Sequence, residues 1–228
     1  MTTGIEPLAD ARDMSAAHTM FRREFGLMPG LVRAVTAGDR QRAALVGNHI
    51  ALVSTVLSHH HSGEDRYIWP RLLERCPQEC ASIVGVMEDQ HETIHLGLLD
   101  VQKALDGWRD SPSGDARDDL ADALDQLLPA MYEHLVLEEE RVVPLIEKYI
   151  THAEYARVGQ DQVAEAPPDE LATVFGMFMY DTAPEVIELV VADLPAEIQP
   201  VIRDLAANSY AAYAQQLYGT ATPGRVTG

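Results

Sequence analysis

Histidines and carboxylates recur in this chain at spacings that return two donors to one side of a helix. His60 precedes Glu64 by four residues, and His91 precedes His95 by four. His134 is followed by Glu138 at four and Glu139 at five, and a single His18 stands upstream. Residues four apart share a helix face, so each pair can present two side chains to one cavity. Imidazole with carboxylate suits iron, manganese or zinc, whereas soft ions call for thiolates. One such pair means little. Three pairs and a single, each in its own helical stretch, point to a metal site inside a bundle. A carboxylate has two oxygens, so Glu64 and Glu138 can each span two ions, leaving His18, His60, His91, His95 and His134 in terminal positions. Two carboxylates, neutral imidazoles and an oxide or hydroxide bridge would leave such a pair only modestly positive.

The carboxylate-rich alternative takes Glu-x-x-His from each of two helices. Here Glu88-x-x-His91 and Glu92-x-x-His95 both fall on one helix, and no other bundle segment repeats them. The histidine-rich pattern is therefore preferred. His59 and His61 flank His60 and are expected to point elsewhere. His49, about three turns earlier, is expected at the surface or hydrogen-bonded, and His152 exposed. Glu24 and Asp65 are expected in solvent or behind the ligands, and Tyr67 and Tyr132 in ordinary packing.

Four long helices must position these residues. Apolar periodicity predicts them at Asp10–Ala37, Arg40–Leu73, Glu79–Trp108 and Asp115–Tyr149. Pro29 should interrupt the first, Gly63 and Pro70 should bend or end the second, and Pro129 should kink or divide the fourth. Ser111-Pro112-Ser113-Gly114 is a loop. Cys76 and Cys80 could face one another on a helix, but Pro77 favours a turn, and the two are read as structural or as a redox pair. Beyond a break at Ala166-Pro167-Pro168, three shorter helices are expected at Glu170–Tyr180, Pro184–Asp193 and Pro195–Leu217, with Pro184 and Pro195 in first turns. These tail helices should cover the bundle or build an interface with another copy or a partner, and Met177 to Tyr180 should lie in core or interface. The last residues, from Thr220, are expected to fray.

Composition narrows the function. The 228 residues are 46% hydrophobic and 6% aromatic, which favours helix over sheet, and the net charge is −19. So acidic a surface repels a phosphate backbone and argues against nucleic acid. No stretch reaches the ~18 apolar residues that a membrane helix needs. Met1 to Asp10 lacks the basic and apolar parts of a secretory signal, so a cytoplasmic location is expected.

The order His, His-x-x-x-Glu, His-x-x-x-His, His-x-x-x-Glu resembles the hemerythrin-like, or HHE cation-binding, family. The local contexts are similar too: His60-His61-Ser62-Gly63-Glu64-Asp65 before Trp69-Pro70, and His134 with Glu138-Glu139-Glu140 before Val143-Pro144. The resemblance covers roughly residues 10 to 150. It implies an all-α fold, an antiparallel four-helix bundle over residues 1–150, with 151–228 as a C-terminal helical extension outside the family core. It also implies two non-haem iron ions, oxo- or hydroxo-bridged, that meet O2, NO or peroxide. By resemblance the ligands are His18, His60, Glu64 (bridging), His91, His95 and His134 with a following carboxylate. Oxygen-carrying members use a five-residue spacing there, which would select Glu139. Many relatives use four, which selects Glu138, and four residues return to one face whereas five do not. Some relatives keep only one of the two third-helix histidines. The implied roles are gas or redox sensing, storage or detoxification; a peroxide- or NO-processing enzyme, and a sensor signalling through the tail helices, are the alternatives.

Overall fold

Buried residues recur at alternating three- and four-residue steps along four long helices. In the computed structural model, which describes residues 6–165 and 168–225, these are α1 (Arg12–Arg33), α2 (Arg40–Gly63), α4 (Pro77–Asp110) and α5 (Gly114–Arg141). The stripe on α1 is Met14, His18, Phe21, Phe25, Met28 and Val32. On α4 it is Val84, Met87, His91, Ile94, Leu98, Val101 and Leu105. Such a stripe is what bundled helices bury against one another. α1 packs on α2 and α5, and α4 on the same two, which closes the antiparallel ring. Asp39 caps α2 by accepting the Arg42 N–H at 3.0 Å, and Ser113 caps α5 by accepting that of Ala116 at 3.2 Å. These side chains satisfy backbone donors that no helical carbonyl reaches.

Two prolines act differently from expectation. Pro29 and Pro129 lie inside α1 and α5 and divide neither. Pro70, Pro77 and Pro144 open α3 (Trp69–Arg75), α4 and α6 (Val143–Tyr149), where a missing N–H costs nothing. The second expected helix is split by a π-helical turn at Glu64–Ile68, in which the Trp69 N–H reaches back to the Glu64 carbonyl. Pro70 has no N–H to give and its ring crowds the carbonyl four residues earlier, so the ladder widens there. Cys76 ends α3 and Pro77 starts a helix rather than a turn, which carries Cys80 back over Cys76; the two form a disulfide with Cα atoms 5.6 Å apart.

The tail begins with a helix that the sequence did not announce, α7 (His152–Glu165), followed by α8 (Pro168–Asp181), α9 (Pro184–Ala192) and α10 (Gln199–Tyr218). Pro200, not Pro195, occupies the first turn of α10, and Gly219 closes it at φ +76, a conformation glycine adopts without strain. The expected break at Ala166 and Pro167, and the end of the expected frayed tail at 226–228, lie outside the described residues. α8 and α10 pack on each other, α8 and α9 on α1, and α7 on α2 and the π turn. No helix among the described residues is long and apolar enough to cross a membrane.

Two apolar clusters bracket one polar layer. The larger runs from Met20 to Val32 on α1 with Val35 just beyond it, Ala43 to Leu57 on α2, Ile94 to Trp108 on α4 and Leu120 to Leu135 on α5, and takes in Met177, Tyr210 and Leu217 from the tail. The smaller contains Met14, Ile68, Trp69, Cys80, Met87, Val142, Ile146 and Tyr155. His18, His60, Glu64, His91, His134 and Glu138 fall between them on every helix.

Candidate metal centre

All six of those residues sit on the buried stripe itself, where an apolar side chain would otherwise stand. The four-residue step from His60 to Glu64 and the step from His134 to Glu138 are both seam steps. On α4 the step after His91 is three, to Ile94, and then four, to Leu98. His95 therefore misses the seam and is exposed. The structure does not bring it to the cluster, contrary to expectation. His61 takes the vacant place: it is four residues beyond Leu57, as His60 is three beyond, so both border the seam and both are buried.

Two overlapping sets of donors result, His61, Glu64, His91 and His134 on one side and His18, His60, Glu64 and Glu138 on the other. Within each, the donor atoms lie within 4.8 Å of one another. Glu64 belongs to both: Oε1 is 3.0 Å from His60 Nε2 and Oε2 is 3.4 Å from His91 Nε2. Glu138 Oε2 lies 3.3 Å from His18 Nε2 and 3.6 Å from His134 Nε2. The His61 and His91 rings stack at 4.1 Å, and His18 Nε2 stands 3.2 Å from His60 Nε2.

The far nitrogens of three rings are held from behind. Nδ1 of His18 meets Glu139 Oε1 at 3.0 Å, that of His91 meets Asp65 Oδ1 at 2.7 Å, and that of His134 meets Gln90 Oε1 at 3.2 Å. An Nδ1–H donated outward leaves an Nε2 lone pair facing the cavity, the tautomer a metal needs. Asp65 is fixed in turn by the Trp69 indole N–H at 2.8 Å, and Glu139 by Arg22 at 2.7 Å. Asp65 and Glu139 thus stand behind His91 and His18, and Glu138 faces inward.

Inside the cavity, polar atoms are left over. Nε2 of His61, His91 and His134 and both carboxylate oxygens of Glu64 and Glu138 are buried with no hydrogen-bond partner. Such orphans are rare in folded proteins and call for an explanation such as an ion. Charge is also out of balance. Burial pushes His60 down to about 3 and His134 to about 4. Burial opposes charging His18 and His91 as well, but Glu138 and Glu139 outweigh it at His18, raising it to about 9. Asp65 and Glu64 do so at His91, raising it to about 10. Burial and the neighbouring Glu138 raise Glu64, while Glu138 itself is lowered: burial opposes its charge, and His18 overrides that. The donor set of imidazole and carboxylate fits metal cations.

Elsewhere the expectation for Glu24 fails. Glu24 is not in solvent but fully buried. It accepts from Tyr210 at 2.8 Å and from Tyr218, and it pairs with Arg23 at 2.8 Å. Arg23 also bonds Asp181 and the Met177 carbonyl. His49 is buried and hydrogen-bonded, to Tyr213 at 3.2 Å and Tyr218 at 3.3 Å. His59 lies outside both donor sets, and His152 pairs with Asp193 at 3.0 Å.

The hemerythrin HHE cation-binding domain matches residues 10–146, more than half of the chain. The chain belongs to that family. No curated protein and no solved structure matches it. α7 to α10 lie beyond the matched segment.

Proposed function

We propose that this bundle holds a pair of non-haem iron ions, with Glu64 between them, and meets O2, NO or peroxide there, in gas or redox sensing, storage or detoxification. The ligands in this reading are His18, His60, Glu64, His91, His134 and Glu138, with His61 in the place expected of His95. The observation that carries it is the set of orphaned, inward-facing atoms on Glu64, Glu138, His61, His91 and His134. Leaving buried carboxylates without partners costs several kcal/mol each, so the arrangement persists best with cations between them. Bound iron would supply a redox couple and an open coordination position. The chain's own part is to orient and to exclude water. Glu139, Asp65 and Gln90 fix three imidazoles, while Phe21 against His60 and Trp69 against His91, at 5.3 and 5.9 Å between centroids, close the layer with apolar surface.

The test is a visible absorption time course after O2 is added to anaerobically reduced, iron-loaded protein. A spectrum that persists and bleaches on degassing means reversible binding, hence carriage, storage or sensing. Rapid passage to a ferric spectrum means that the ligand is consumed, and supports peroxide or NO processing. No change with iron bound would overturn the open paired site.

A further inference from the structure

Three arginines of a chain with only 17 basic residues against 36 acidic ones converge on one surface cavity. It measures about 520 Å³ and lies between α1, α5 and the end of the tail. Arg23 forms its saturated floor, with Glu24, Asp181 and the Met177 carbonyl as partners. Arg22 and Arg225 line the mouth and are not saturated. Arg22 gives one nitrogen to Glu139 at 2.7 Å. Arg225 lies over the Tyr180 ring, and its polar contacts, to Asp181 and the Tyr180 carbonyl, are both long at 3.3 Å. A guanidinium carries five N–H donors in a planar fork, so both have donors to spare.

Tyr132 adds a third donor. Its hydroxyl reaches the Arg22 carbonyl only at 3.4 Å, the weak limit of a hydrogen bond. Burial raises its pKa, which keeps the proton on. Gly26 makes room for it, since a Cβ there would stand 2.8 Å from that hydroxyl. Leu27 and the Tyr132 ring supply an apolar wall. Spare donors at the mouth and apolar surface on the wall define one chemical class.

We propose that this cavity binds a small organic carboxylate with an apolar body, its carboxylate held by the Arg22 and Arg225 forks and the Tyr132 hydroxyl. A second carboxylate on the Arg22 guanidinium shares its charge and so loosens its hold on Glu139, which also accepts the His18 Nδ1–H at 3.0 Å. Occupancy is thereby coupled to the orientation of His18. The coupling rests on the metal-centre reading above; the binding does not.

Calorimetric titration of the full chain with benzoate tests the site, with inorganic phosphate keeping only the charge and benzyl alcohol only the apolar body. Benzoate is expected to bind in the millimolar range or tighter, and both controls more weakly. Arg22→Gln and Arg225→Gln should each weaken benzoate about tenfold, as for the loss of a charge-assisted hydrogen bond. Arg225 is exposed, so its variant keeps the test decisive if Arg22→Gln misfolds. No benzoate binding, equal affinity in Arg225→Gln, or a control binding as tightly as benzoate would overturn the proposal. On iron-loaded protein, benzoate should shift the visible absorption. Binding without a shift would overturn the coupling and leave the site standing, whatever the fate of the metal reading.

Discussion

Glu24 and Glu64 are both fully buried glutamates on the bundle, yet they are held in opposite ways. Around Glu24 the charges are spent. Arg23, Tyr210 and Tyr218 engage its oxygens, Arg23 has Asp181 as a second anion, and the Tyr180 and Tyr210 rings, in edge contact with each other, both lie against its guanidinium at 5.1 and 5.5 Å. Around Glu64 the oxygens face histidine nitrogens at ion-pair distance and make no hydrogen bond. Both clusters are buried and polar, and both span several helices. What separates them is whether the residues satisfy one another. A closed network fastens the tail to the bundle; an open one is shaped for something else.

The sharpest way to break this contrast is to remove the shared carboxylate. Glu64→Ala should lose the paired site outright, and two irons per chain retained by that variant, read by metal analysis, would contradict the bridging role. In metal-free protein, by contrast, Glu64→Gln should change unfolding free energy by less than about 1 kcal/mol, because relief of the buried charge offsets the lost pairing with His91. Glu24→Gln should cost about 3 kcal/mol in denaturant unfolding, the low end for breaking a buried pair, since Asp181 still compensates Arg23. If the two variants cost the same, the contrast fails.

Support from behind the ligands ranks next. Asp65→Ala strips His91 of its Nδ1 partner and should weaken metal binding about ten- to a hundredfold, measured by competition with a chelator. The pH dependence follows from the same residues. His18 and His91 are raised to about 9 and 10 in the metal-free fold. Their ion pairs therefore stabilise it fully below the ordinary histidine value of about 6.5, and that contribution is lost as pH rises through 9 to 10. Metal must expel those protons, so its affinity should rise between pH 6 and 9 by about tenfold per unit for each proton released. Flat affinity across that range would mean that neither ring is protonated. The smallest effect belongs to His95→Ala, which should leave iron content unchanged, whereas His61→Ala should lower it.

Much of this was legible in the sequence, and the failures have physical causes. The all-α bundle followed from apolar periodicity and loop chemistry, and the family from the order of its histidine motifs. The four-residue rule placed His60 with Glu64 and His134 with Glu138, because those steps coincide with the seam. It misled at His95, since same-face spacing does not say whether that face is buried at the next turn. The three-then-four step through Ile94 and Leu98 would have decided it. The His60-His61 doublet astride the seam was the missed signal for His61. Glu24 gave none, because its tyrosine partners lie 186 and 194 residues away in sequence. The π turn was half visible in Pro70, whose effect falls upstream of it.

The most direct measurement is the number of irons that the wild-type chain retains after anaerobic loading with ferrous iron and desalting. Two per chain is the predicted result, one for each donor set that shares Glu64. One or none, in protein shown to be folded, would contradict the reading of the open cluster as a paired metal centre.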